Sequence, residues 1–127
     1  MIFELSQFSD ITFLILRLVI AVIFVYHALP KLTNAKGMSQ MMGMPAGMIF
    51  VLGLVESISS LGLIFGVYIQ IAAFLLAMVM VGAIYFKMVK WHVPFAAMDK
   101  TGWEFDLILL AANIFILVNG GGAIGIQ

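Results

Sequence analysis

The sequence contains no cysteine, and only 9% of its 127 residues are charged. The first absence removes thiol–disulfide exchange, iron–sulfur ligation and cysteine-based zinc sites from anything this polypeptide does alone. The second sets it apart from an ordinary soluble domain, in which about a quarter of the residues are charged. Proline is scarce as well, at 3 residues, so little interrupts a helix once formed. The formal net charge is zero, which leaves no basis for nucleic-acid binding.

What fills the chain instead is apolar, at 65% of residues. A chain this short cannot hide so much apolar surface from water, because small domains bury the smallest fraction of their surface. Lipid is therefore the expected solvent. A bilayer core of about 30 Å takes about 20 apolar residues per helix, and such runs occupy Ile11 to Leu29, Gly47 to Gly66, Tyr68 to Phe86 and Glu104 to Val118. With short loops they account for nearly the whole chain. The reading is one all-α membrane domain, an integral four-helix bundle running up-down-up-down. Ile2 to Phe8 reads as a short interfacial helix. The first run follows Glu4 and Asp10, with no basic residue, and ends in Leu29-Pro30-Lys31-Leu32, not a small-residue cleavage site. It is expected to stay as a span and not to be removed as a signal.

Basic residues set the orientation. Lys31 and Lys36 fall in the first loop (Pro30 to Ala46), and Lys87, Lys90 and Lys100 in the third (Lys87 to Trp103). The opposite side has no Lys or Arg outside a span. The positive-inside rule then places both loops in the cytoplasm and both termini on the non-cytoplasmic side, with Trp91, His92 and Trp103 in the interfacial belt. The very short second loop, Gly66 to Gln70, makes spans two and three a hairpin. Gly53, Ser57, Ser60, Gly62 and Gly66 give span two a small-residue face, for close packing within the hairpin or for a dimer seam.

The informative residues are the ionisable ones inside the runs, because a charge in lipid needs a partner, water or a role. Arg17, His27 and Lys31 lie on nearly one face of span one, His27 and Lys31 one turn apart. Pro30 is expected to loosen the last turn. Glu56, on span two, falls at a depth between Arg17 and His27 and is expected to pair with Arg17, to bond His27 or to be protonated. Glu104 is expected level with His27 and Lys31, with Asp106 at another angle and Asn113 deeper. These groups suggest one polar cluster open to the cytoplasmic side. Two readings stand: ion pairs that fix helix register, or a pocket for a polar head group or a proton relay.

Met38, Met41, Met42, Met44 and Met48 crowd the first loop. Thioethers bind soft copper(I), but methionine is also an adaptable apolar filler, and filler is the preferred reading. His27 and His92 show no ligand spacing, so no metal is expected. Gly120-Gly121-Gly122 reads as a helix stop followed by a flexible tail, with no following helix to make a phosphate loop.

Taken in order, Leu16-Arg17, Phe24 and His27-Ala28-Leu29-Pro30-Lys31-Leu32 resemble the first span of the DoxX family of small four-helix membrane proteins. Gly43-Met44-Pro45, Gly53-Leu54-Val55-Glu56, Gly102-Trp103-Glu104 and Asn119-Gly120-Gly121-Gly122 extend the likeness over nearly the whole chain. Two positions depart from it: Ala28 stands where the family usually has glycine, and Ala123 to Gln127 replace its Ser-Leu-Asp-like ending. The resemblance implies a multi-pass protein of a prokaryotic cytoplasmic membrane tied to respiratory or redox complexes. Two functions follow from it. One is an accessory subunit or an assembly and stability factor of a larger membrane complex, or of a homo-oligomer. The other is a quinone-interacting subunit akin to that of thiosulfate:quinone oxidoreductases, with His27, Glu56 or Arg17 bonding a quinone that is not covalently held. A transporter or proton channel is a weaker third, since no inverted repeat or broken-helix pair is visible.

Overall fold

A computed structural model describes residues 5–126. All regular structure among them is helical. A 3₁₀ turn, Ser6–Phe8, leads into α1 (Ser9–Thr33), followed by α2 (Ala35–Met42), α3 (Ala46–Phe65), α4 (Ile69–Tyr85) and α5 (Trp103–Asn119). The rest of the expected interfacial segment, residues 2–4, lies outside the described residues.

Three stretches are long and apolar enough to cross a bilayer: Ser6–Thr33, Ala46–Phe65 and Ile69–Lys90. The third is α4 continued by a π-helical turn, Phe86–Lys90. α5, at 17 residues, is shorter than any of these three stretches. The apolar runs forecast these helices to within a few residues, because lipid forces the backbone to satisfy its own hydrogen bonds.

Two local expectations need correcting. Pro30 sits inside α1 without loosening its end, since the Asn34 amide donates to Pro30 O (2.8 Å) and the Thr33 hydroxyl to Leu29 O (2.8 Å). The stretch read as a loop after it is largely helical. In α2 the turns alternate polar and thioether residues, a short amphipathic element with too few apolar positions to register as a span.

Packing divides the chain into two halves. α1 lies mainly on α3, and α4 on α5, with α3 and α4 joined by the tight turn after Phe65; α1 and α5 barely touch. The shared core joins Ile20, Ala21 and Phe24 to Leu63, to Ala72, Ala73, Leu76 and Met80, and to Leu109 and Ile116. The small-residue face of α3 serves both joints. At Gly53 an added Cβ would come 2.9 Å from Lys31 Cβ, so this glycine lets α1 approach, while at Gly62 it would meet Val67 O at 2.8 Å. Ser57 is half-buried beside them. Gly66 ends α3 with φ 73°, a conformation only glycine adopts cheaply. At Gly53 and Gly62 the small residues thus serve packing within the chain.

The segment after α5 is a packed strap and not the flexible tail expected from its glycines. The Ala123 amide donates to Asp10 Oδ1 (2.9 Å) and the Ile126 amide to Phe65 O (2.8 Å), which ties the strap to the start of α1 and the end of α3. Its glycines allow this: a Cβ at Gly125 would sit 2.8 Å from Gly66 Cα.

Candidate functional site: a cavity between two ion pairs

A cavity of about 320 Å³ lies between the two halves, lined by residues of both and by Lys31 and Lys87. Each half contributes one buried acid–base pair to its wall. In the first, Lys31 Nζ donates to both carboxylate oxygens of Glu56, at 2.8 Å each. Glu56 is 1% exposed and the Lys31 side chain 14%. The position of Lys31 near the end of α1 explains this difference, since its stem can reach toward water while Glu56 is fixed in mid-helix. In the second, Lys87 Nζ lies 2.7 Å from Asp106 Oδ2, a charge contact outside hydrogen-bond geometry. The same ammonium donates to Thr101 Oγ1 (3.0 Å) and stands 5.6 Å from the centre of the Phe105 ring.

His27 lies between the pairs. Its imidazole packs against Phe105 at 5.3 Å and lies within electrostatic range of Lys31, Lys87 and Asp106. The remaining wall is apolar and polarisable: Phe24, Phe86, Trp91 and Phe105 with Met38, Met42, Met44, Met48, Met78 and Met80. The π-helical turn helps to build it. Its wider i→i+5 spacing brings Phe86 and Trp91 onto one side, rings 5.5 Å apart, and the Trp91 indole then donates to Met42 O at 3.0 Å. That bond ties the end of α2 to the cavity wall.

The cavity therefore gathers His27, Lys31, Glu56 and Asp106 from the expected cluster and leaves out Arg17, Glu104 and Asn113. The partner of Glu56 is Lys31, not Arg17 or His27, because the ammonium one turn beyond His27 reaches the carboxylate first. Glu104 is exposed at the start of α5 and Asp106 takes the inward place. Asn113 is fully buried, but its amide donates to Leu109 O (2.8 Å), a bond within its own helix. Lys87, Trp91 and Thr101 were missed as site residues. A lysine just past an apolar run resembles a plain topology anchor, and only the π-helical turn directs this one inward.

Arg17 belongs to the other end of the molecule. It is fully buried and its Nη2 donates to Ile124 O (2.6 Å) in the strap, while Nε and Nη1 find no acceptor. A Cβ on Gly66 would come 2.8 Å from Nη1. The guanidinium thus lies against the carbonyl end of α3, where the helix dipole is negative, and that field offsets part of its burial. Arg17 joins α1 and the end of α3 to the strap and does not line the cavity.

The methionine group is redistributed. Met38, Met42, Met44 and Met48 line the cavity, Met41 points out to solvent, and Met78 and Met80 of α4 join the wall. Among the described residues no group of three or more His, Asp or Glu converges as a metal site. His92 is exposed and outside the cavity.

Apolar helices of spanning length around a cavity edged by ion pairs define a small helical membrane protein with an internal polar site. The chain belongs to the DoxX family, whose model matches residues 12–90 and so includes His27, Lys31, Glu56 and Lys87. It is 32% identical over 119 residues to "Putative oxidoreductase CatD" of Bacillus subtilis (strain 168), an alignment covering 91% of this chain and 84% of that protein. No solved structure matches it. The family and the apolar helices together mark a membrane protein.

Proposed function

We propose that this protein is the quinone-interacting subunit of a redox complex in a prokaryotic cytoplasmic membrane. In this reading α1, α3, α4 and α5 form an up-down-up-down bundle with α5 as the fourth span. The lysine-rich end faces the cytoplasm, and both termini lie on the other side. The observation that carries it is the cavity, in which two ammonium groups and an imidazole face a space walled by aromatic rings and thioethers. A quinone needs both parts. Its ring packs against aromatic and thioether groups, and its carbonyl oxygens accept hydrogen bonds from Lys31, Lys87 or His27.

Reduction of a quinone to the quinol takes up two electrons and two protons. The chain has no cysteine and no recognisable haem or flavin motif, so the electrons come from a redox centre on a partner subunit. The protons come from cytoplasmic water at the mouth, through His27 and the two lysine–carboxylate pairs. These pairs keep the site near neutral while empty, which lowers the cost of holding charge in the membrane. Protein purified from native membranes into nanodiscs should carry quinone, and added quinone should raise its melting temperature. The absence of both effects would overturn the proposal.

A second reading is an assembly or stability subunit with no ligand of its own. It is favoured by the completeness of the ion pairs, each of which ties together the two helices of one half. Loss of the protein would then lower the abundance of the complex and leave turnover per complex unchanged.

A further inference from the structure

The cavity has a polar side and an apolar side, and they open differently. The polar side, at Pro30, Lys31, Lys87 and Thr101, lies at the end of the helices, next to water. The apolar side lies between α3 and α4. Met48 of α3 and Met78 of α4 both line the cavity, yet they are 47% and 54% exposed on the outer face of the helices, where lipid would lie. With ~1.5 Å of rise per residue, Leu52 of α3 and Gly82 of α4 lie level with each other, about 20 Å from the turn that joins the two helices. A Cβ on Gly82 would meet no atom within 4 Å, so this wall position has no side chain and has open space in front of it.

We infer that the gap between α3 and α4 at Met48, Leu52, Met78 and Gly82 is a lateral portal, through which a lipid-dissolved ligand with a long apolar tail enters from the cytoplasmic leaflet. The inference rests on the quinone reading and adds that the ligand is a tailed, membrane-resident one and not a water-soluble head group. The head group sits by His27 and the lysines, the tail passes over Gly82, and the thioethers flex around it. Unbranched side chains suit that role because they repack at low cost. Gly82 sets the width of the passage, and the glycine is needed for space, since its backbone lies in ordinary helix.

The test compares two probes in nanodiscs, a naphthoquinone without a tail and the same ring with an isoprenoid tail carrying a photoreactive group. Wild-type protein should bind the tailed probe more tightly, with label appearing at Met48, Leu52, Met78 or Val79. Gly82→Ala adds a Cβ into empty space and serves as the control for the fold, keeping the melting temperature. Gly82→Phe should not lower the melting temperature but should weaken the tailed probe by about tenfold or more, the worth of roughly two methylenes losing their burial. Equal binding of the tailed probe by wild type and Gly82→Phe would overturn the portal and leave the head-group site standing. Label confined to the other lipid-facing groove, at Ser59, Leu75 and Ile126, would do the same. Failure of both probes to bind wild-type protein would overturn the portal together with the quinone reading.

Discussion

Removing one partner at a time from the Lys31–Glu56 pair should have unequal effects. Lys31→Met leaves a carboxylate that is 1% exposed with no other cation bonded to it, a case in which breaking a buried pair costs about 3–5 kcal/mol. Glu56→Gln leaves an ammonium on a flexible stem at the end of α1, partly open already, which can turn toward the interface. Its cost should stay near the value of an ordinary charged hydrogen bond, about 1.5–3 kcal/mol. Exchanging both residues, as in Lys31→Met with Glu56→Leu, removes the desolvated charges together. That double variant should be at least as stable as Lys31→Met and close to wild type, since apolar replacement of a whole buried pair is often neutral. Reversible unfolding in mixed micelles, followed by helical circular dichroism, gives the four free energies to compare. The reasoning fails if the two single variants are equally destabilised, or if the double variant is worse than Lys31→Met. Either result would mean that Glu56 has another partner in the membrane or is already neutral there.

Other consequences follow from single contacts. Trp91→Phe keeps the ring but loses the indole donor to Met42 O, so amides of α2 should exchange with deuterium several-fold faster while those of α3 do not change. Gly53→Leu would press on Lys31 and Leu32, and overpacking of about 1–3 kcal/mol should appear as a lower melting temperature. Gly66→Ala combines a left-handed backbone with a Cβ 2.6 Å from Gly125 Cα, so residues 121–126 should become protease-sensitive. A reporter fused after Gln127 should be active only outside the cytoplasm, and cytoplasmic activity would reverse the orientation proposed here.

The helical character was easy to read in the sequence because lipid leaves few options. A long apolar run must close its own backbone hydrogen bonds, so Ile11 to Leu29 and Tyr68 to Phe86 could only be helices. The site was half legible. His27, Lys31 and Glu56 stood out because ionisable groups in apolar runs are rare, and Asp106 stood out beside them. Their pairing was not legible, because counting residues does not fix the register of one helix on another. Gly53 packs beside Lys31 and Gly66 beside Arg17, so with ~1.5 Å of rise per residue Glu56 lies within about one turn of the lysine and about 15 Å in height from the arginine. The role of Lys87 depended on a π-helical turn with no sequence signature. The strap was hidden by its glycines, which suggest flexibility in a sequence but here permit close backbone packing.

The placement of charge at the two ends argues for different roles. At the strap end, Arg17 is walled in by Gly66 and Gly121, with a Cβ on either glycine coming 2.8 Å from the arginine side chain, so nothing can reach it without unpacking the strap. A charge held that way serves the fold. At the lysine end the charges come in opposed pairs around open space, and the wall there is built from side chains that can move. If register alone were at stake, the helices could close on each other at this end as they do near the turn. Instead Gly82 faces empty space, and the small core residues Ala72 and Ala73 that draw α4 inward lie nearer the turn. Space of this kind forfeits packing energy in every molecule that leaves it unfilled. Gly82→Leu offers the direct measure: if the cavity serves only as slack, filling it should raise the melting temperature and leave the activity of the native complex unchanged. If it is a binding site, the same stabilisation should come with loss of ligand, and stability and function would move in opposite directions.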